Sequence, residues 1–238
     1  MSNVSITELT SLHTKLGLAV DEIYADDAVL IQELLRELPY PFFATSAIDA
    51  FIHAIESYVS PKANLYTEMF SMKAMEMIID GFRKIVENGP EYRWNLLDEF
   101  LTASNLAGIA FGNAGTGAVH AMSYPLSGVY HVTHGEANYQ FLTAVFAVYQ
   151  ELKPEGKIQG LNHFLGKLLD CEERQVYTEL EKLLDKIISR KQLHEYGMTE
   201  DEIESFAKSV EASQQRLLNQ SYVKLSWQQM AEIYKKLY

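Results

Sequence analysis

Beyond about residue 25, the apolar residues of this chain recur at helical spacing, segment after segment, to the last residue. That pattern leaves few folds open. Helices with an apolar stripe and no sheet to cover must pack on one another. Only the first 25 residues read differently. Ser5-Ile6-Thr7-Glu8-Leu9-Thr10 alternates loosely, and Leu16-Gly17-Leu18-Ala19-Val20 is a short apolar run. A polar link containing His13 separates them. These segments read as two short strands. Two strands alone are marginal in water, and no further strand-rich segment follows. The pair therefore reads as the edge of a sheet that this sequence does not complete.

Capping residues and prolines divide the helical part. Asp26 or Asp27 can cap a short helix through Leu38, stopped by Pro39 and Pro41. Thr45 or Ser46 can cap a second, through Tyr58. A long helix starts at Asn64 and ends at Asn88-Gly89-Pro90. Leu96 to Gly108 continues as helix, with Leu97, Leu101, Ser104 and Gly108 on one stripe whose small residues allow close contact. The glycine-rich run Gly112 to Gly117 feeds a short helix bearing His120, and another helix runs from His134 to about Leu152. After Pro154-Glu155-Gly156, at least three amphipathic helices remain. One spans Glu173 to Lys191, one begins in the acidic turn at Thr199, and the last is capped by Ser226. The expected fold is mainly α, a helical bundle with a short N-terminal strand pair.

Composition narrows the function. The net charge is -12, which disfavours nucleic acid. No apolar run reaches the roughly 18 residues of a membrane helix. The start, Met1-Ser2-Asn3-Val4-Ser5, has neither the basic end nor the apolar stretch of a signal peptide, so a cytoplasmic location is the expectation. The single cysteine, Cys171, sits between Asp170 and Glu172, whose charge should raise its pKa and leave it inert.

Of the seven histidines, four lie between His53 and His134. Asp49 and His53 are four apart on an expected helix, hence on one face. Their neighbours Ile48, Phe51, Ile52 and Ile55 are apolar. A carboxylate buried there needs a partner or a metal. A plain hydrogen-bonded pair would satisfy that need equally well. His120 and His134 stand at segment ends, where side chains from different elements converge. His131 is three residues from His134 and competes as a ligand. Glu56 and Glu136 are the only close carboxylates for a second ion. One Asp and three His together suit a borderline ion such as Fe(II) or Zn(II).

Five stretches carry a closer likeness. They are Asp49 to Tyr58 (DAFIHAIESY), Ala103 to Gly108 (ASNLAG), Phe111 to Gly117 (FGNAGTG), His120 to Leu126 (HAMSYPL) and His134 to Asn138 (HGEAN). In order and spacing they closely resemble the iron-containing alcohol dehydrogenase family. The wording around His120 and His134 looks most like its 4-hydroxybutyrate dehydrogenase branch. The resemblance implies metal ligands at Asp49, His53, His120 and His134. It also implies iron, or sometimes zinc, as a Lewis acid toward the alcohol oxygen while hydride passes to NAD. Most members carry another histidine four residues after the His120 position. Here it is Tyr124, which either replaces that histidine as catalytic hydrogen-bond donor or proton relay, or only packs against the cofactor ring.

The family's dinucleotide-binding landmarks, a Gly-Gly-Gly-Ser loop and a Thr-Gly-x-x-Ser-Glu segment, do not occur here. Residues 1–38 are thus expected to be a remnant of the N-terminal dinucleotide domain, and residues 39–238 an all-helical metal-binding catalytic domain. The chain would be an engineered fragment, a truncated product or one half of a split enzyme. By itself it would hold metal yet turn over nothing without a separate NAD-binding half, and its cut edge would favour a homodimer. The implied substrate is a small hydroxy acid or aldehyde, 4-hydroxybutyrate or succinic semialdehyde at branch level. Lys62 is the nearest cation in sequence for its carboxylate. The alternative is a non-enzymatic helical metal-binding or interaction module.

Overall fold

The computed structural model describes residues 4–9 and 14–238. Thr10, the end of the first expected strand, and His13 of the link lie outside the described residues. Strand β1 (Val4–Leu9) pairs antiparallel with β2 (Thr14–Ala19), Val4 facing Ala19 and Leu9 facing Thr14. Everything else that is regular is helical, as the spacing of apolar residues requires.

The helix expected from Asp26 or Asp27 to Leu38 does not form. Only single 3-10 turns occur, at Asp21–Ile23 and Gln32–Leu35. Val29, Leu30, Ile31 and Leu34 are exposed. With no core to receive an apolar face, a dozen residues of helix are marginal, and Pro39 disfavours helical backbone just before it.

Helix α1 (Tyr40–Val59) starts earlier than Thr45 or Ser46. Pro41 sits in its first turn, where a missing N–H costs no helical bond. Thr45 is interior to the helix, its hydroxyl donating to the Pro41 carbonyl at 2.9 Å. The helix is buried almost all round, with Phe43, Ile48, Phe51, Ile52, Ile55 and Val59 in the core. It is the central helix, packed against α2 (Leu65–Asn88), α3 (Leu97–Ala114) and α5 (His134–Leu152). Any polar side chain on it must therefore find a partner in the interior.

Asn64 caps α2 as read, accepting from Tyr66 and Thr67 N–H while Thr67 Oγ1 accepts from Asn64 N–H. Gly89 ends it at φ 91°, a left-handed value that suits glycine. On α3 the expected stripe is buried at Leu97 and Gly108 but half-buried at Leu101 and exposed at Ser104. Ala103, Ala107, Ala110 and Ala114 are also buried. Gly112 and Asn113 complete α3, so the break is only Gly115-Thr116-Gly117.

Helix α4 (Ala118–Tyr130) follows, with β2 against it. Then come α6 (Lys157–Leu169), α7 (Val176–Ile187), α8 (Glu202–Ser213), the short α9 (Gln215–Leu218) and α10 (Trp227–Leu237). The helix expected through Lys191 stops at Ile187. Arg190 folds back instead, its guanidinium on Glu181 and Thr143. The one expected from Thr199 begins at Glu202, whose carboxylate accepts from Thr199 N–H and hydroxyl at 2.8 Å each. Ser226 caps α10. Among the described residues no helix is long and apolar enough to cross a membrane.

Candidate metal centre

On the largely apolar helix α1, Asp49, His53 and Glu56 fall at helical spacing. Their stripe faces the start of α4, which brings His120, and the start of α5, which brings His134. One ligand atom from each of Asp49, His53, His120 and His134 lies within 4.8 Å of the others. His53 Nε2 and His134 Nε2 stand 3.9 and 3.8 Å from Asp49 Oδ2, and His120 Nε2 stands 3.9 Å from Oδ1. Donors in a tetrahedron about an ion at about 2.1 Å are about 3.4 Å apart. The Asp49–histidine distances exceed this by about half an ångström, and the widest donor pair, within 4.8 Å, by up to about 1.4 Å.

His120 provides the sharpest test of fit. Its Nδ1 is 2.6 Å from Glu56 Oε2, while its Nε2 is buried with no hydrogen-bond partner. A buried, unpaired ring nitrogen is costly. This one points among a carboxylate and two imidazoles, which is where an ion would bind it. One carboxylate and three imidazoles fit iron or zinc.

Electrostatics prepare the donors. Burial alone would raise the Asp49 carboxyl, but His53, His134, His120 and the Asn138 amide outweigh it and hold the pKa below its ordinary value. His53 is pushed down to about 3, by burial first and then by repulsion from His120 and His134, against the attraction of Asp49. Its lone pair is therefore available at neutral pH. Burial would also lower His120, but the Glu56 hydrogen bond and charge, with Asp49, raise it.

Glu56 is only 2% exposed. It is tolerated because its second oxygen accepts from Val119 N–H, at 2.8 Å, in the first turn of α4. That N–H has no partner within the helix, and the positive end of the helix dipole faces the carboxylate. Asn138, one turn into α5, donates to Asp49 Oδ1 at 2.7 Å. Phe111 stacks on His53 at 4.2 Å between ring centres. Gly135 lets α5 come this close to α1: a Cβ there would lie 2.5 Å from the Thr45 carbonyl oxygen and 3.2 Å from Asp49 Cβ.

The other candidates fall in different places. His131 is exposed, ends α4 in the left-handed conformation and is not one of the four. Glu56 is taken by His120 and Val119, and Glu136 accepts from Tyr196, so neither is placed to bridge a second ion. Cys171 is raised by burial, then by Glu179 and Asp170, in the direction read from its neighbours. Tyr124, one turn beyond His120, is 1% exposed, and burial pushes its phenol up to about 12, with Arg216 opposing. Lys62 reaches Gln220 once that amide is turned to satisfy its neighbours. The cation acting on His120 and Tyr124 is instead Arg216 of α9. The supporting role of Glu56 was within reach of the sequence, since it extends the Asp49–His53 stripe. That of Arg216 was not, because only the packing of α9 brings it near.

Comparison with known proteins identifies the family and the fold. A model of the Fe-containing alcohol dehydrogenase family, C-terminal, matches residues 43–238. The 4-hydroxybutyrate dehydrogenase of Clostridium kluyveri is 55% identical over 238 residues, covering 100% of this chain and 64% of that protein. A halo-thermophilic archaeal alcohol dehydrogenase from a Red Sea brine pool superposes with a TM-score of 0.91 at 19% identity, covering 100% of this chain and 61% of the other. The sulfoacetaldehyde reductase of Bifidobacterium kashiwanohense, solved in complex with NAD+, gives 0.84 at 21%, covering 99% and 60%. At those identities the two structures speak for the fold alone. The chain spans less than two thirds of the length of each of these relatives. With most of its length matched by the family model and its fold shared with these enzymes, the chain belongs to the iron-containing alcohol dehydrogenase family of oxidoreductases.

Proposed function

We propose that Asp49, His53, His120 and His134 hold one divalent ion, Fe(II) or Zn(II), and that residues 39–238 are the metal-bearing catalytic part of an NAD-linked alcohol dehydrogenase. The substrate is 4-hydroxybutyrate, as the name of the C. kluyveri relative suggests, and its oxidation at the alcohol carbon gives succinic semialdehyde. The observation that carries this reading is the buried, unpartnered His120 Nε2 pointing into a four-donor cluster.

When bound, the ion supplies a Lewis acid at the alcohol oxygen. The protein prepares the rest. Glu56 keeps the His120 proton on Nδ1 and its Nε2 free to donate, an outer-shell role that fixes ring orientation. Asn138 orients the Asp49 carboxylate, and Phe111 braces the His53 ring. Tyr124 keeps its proton near neutral pH. Any role it has beside the reacting atoms is therefore that of a hydrogen-bond donor and not of a base; the alternative is that it only packs against the cofactor ring. The Gly115–Gly117 turn is not a phosphate cradle: a Cβ at Gly115 would meet Gln220, and one at Gly117 would meet Ser221. The family's dinucleotide-binding landmarks do not occur in this sequence either, so the 238-residue chain by itself should show no NAD-linked turnover.

Metal analysis after reconstitution tests the reading. The wild-type chain should retain about one equivalent of Fe(II) or Zn(II), and His120→Ala and His134→Ala should retain none tightly. Full retention in both variants sinks the assignment. NAD-linked oxidation of 4-hydroxybutyrate by the purified chain alone would contradict the inactivity.

A further inference from the structure

Asn138 touches two of the four donors at once. It lies one turn after His134 on α5 and is fully buried. Its side-chain nitrogen is 2.7 Å from Asp49 Oδ1 and 3.2 Å from His134 Nε2. Only one orientation of the amide is possible there. Turned over, its oxygen would face the Asp49 carboxylate, acceptor against acceptor, so the NH2 group points at both neighbours. Its two hydrogens are then both in use, one on Asp49 of α1 and one on His134 of α5. An NH2 group only donates. His134 Nε2 must therefore accept, which puts the ring proton on Nδ1.

That nitrogen is also the atom of His134 that faces Asp49 in the four-donor cluster, at 3.8 Å. It has one lone pair, which cannot accept from Asn138 and bind an ion at the same time. His120 is arranged differently. Glu56 takes its Nδ1, and its Nε2 has no hydrogen-bond partner. Asp49 is not blocked by Asn138, because a carboxylate has about four lone-pair sites and only one is used by the amide. An entering ion thus finds Asp49 and His120 open and His134 capped.

We propose that Asn138 competes with the ion for His134. One N–H of its amide caps the coordinating nitrogen and yields it in the last step of binding, while the other N–H keeps Asp49 in place. Asn138 is a positioning residue and not a ligand, since its NH2 group faces the donors and has no lone pair to offer a metal. It holds the His134 ring in the coordinating tautomer before the ion arrives, as Glu56 does for His120, and it makes the closing of the site the slow step. This inference rests on the metal-centre reading above.

Nuclear magnetic resonance of the 15N-labelled 238-residue chain, with and without Zn(II), tests it, with zinc content measured in each sample. Without zinc, His134 should appear as the Nδ1–H tautomer, and both side-chain amide protons of Asn138 should exchange slowly with water. One equivalent of Zn(II) should shift His134 Nε2 and one of those two protons, and leave the other, on Asp49, in place. Stopped-flow loading against a zinc-responsive dye gives a second readout. Asn138→Ala should take up zinc about fivefold faster, the weight of one hydrogen bond. It should nevertheless hold zinc roughly 10- to 100-fold more weakly, because Asp49 has lost its support. A merely structural asparagine predicts weaker binding without faster loading. Three results overturn the inference while leaving the metal centre standing: an Nε2–H tautomer of His134 in the zinc-free wild type, Asn138 amide protons unmoved by bound zinc, or a folded Asn138→Ala that loads no faster than wild type. Wild type that holds no zinc overturns the metal-centre reading, and this inference with it.

Discussion

Replacing Gly135 by alanine would push His134 and Asp49, two of the proposed metal ligands, apart without changing either. The added methyl would lie 2.5 Å from the Thr45 carbonyl oxygen and 2.9 Å from its carbon, both main-chain atoms inside α1. Neither can swing aside as a side-chain tip would. Relief to about 3.2 Å, the near limit of comfortable contact, requires about 0.7 Å of separation between the start of α5 and α1. That is overpacking of the kind that costs roughly 1–3 kcal/mol. The displacement falls between His134 and Asp49, whose nearest nitrogen and oxygen are already 3.8 Å apart. A ligand set tolerates only about 0.5 Å of misplacement, so the variant should lose affinity as well as stability. Thermal unfolding of the metal-free chain and zinc competition against a chelator measure the two effects separately. The expected results are a lower Tm and a zinc affinity reduced roughly 10- to 100-fold, the range for lost outer-shell support. Wild-type Tm and affinity together would refute the argument that this glycine sets the distance between the helices.

Glu56→Gln should reduce zinc affinity roughly 10- to 100-fold. The amide can still accept from Val119 N–H, but it then turns its NH2 toward His120 Nδ1 and drives the ring proton onto Nε2. Competition titration with circular dichroism checks this, and unchanged affinity in a folded variant would contradict the role given to Glu56. Zinc at about 1,000 times its Kd should add about 4 kcal/mol to the native state. For a chain of this size that raises Tm by roughly 8–16 °C, and a chelator should reverse it. A flat melting profile with and without zinc would argue against a site built in the folded state.

The fold was legible wherever a local device decided it. Asn64, Gly89 and Ser226 mark helix ends by bonds or dihedrals that depend on a few neighbours, and each was read correctly. Pro41 misled because proline breaks a helix interior yet is neutral in a first turn, and only packing decides which it is. Residues 26–38 have the composition of a helix but no surface to bury it against. On α3, Ser104 and Ala103 are adjacent small residues, and which one faces the core is set by α1 and α2. The metal centre followed the same division. Asp49 and His53 share a face by spacing alone. His120 and His134 were joined to them through resemblance to a family, since no local rule links residues on three helices. The contact between α9 and α4 is announced by no pattern in the chain.

The four donors also differ in how firmly they are seated. Asp49 and His53 sit deep in a long, buried helix, and His120 is pinned by Glu56. His134 is the first residue of α5 and the most open of the four, with 31% of its side chain exposed. Helix ends fray at little cost, whereas helix interiors open only with the whole fold. Exchange of the ion should therefore proceed through transient release of His134, with the other three donors holding their places. On the proposed assignment, how tightly the ion binds would depend on all four residues, but how long it stays would be set at the first turn of a single helix.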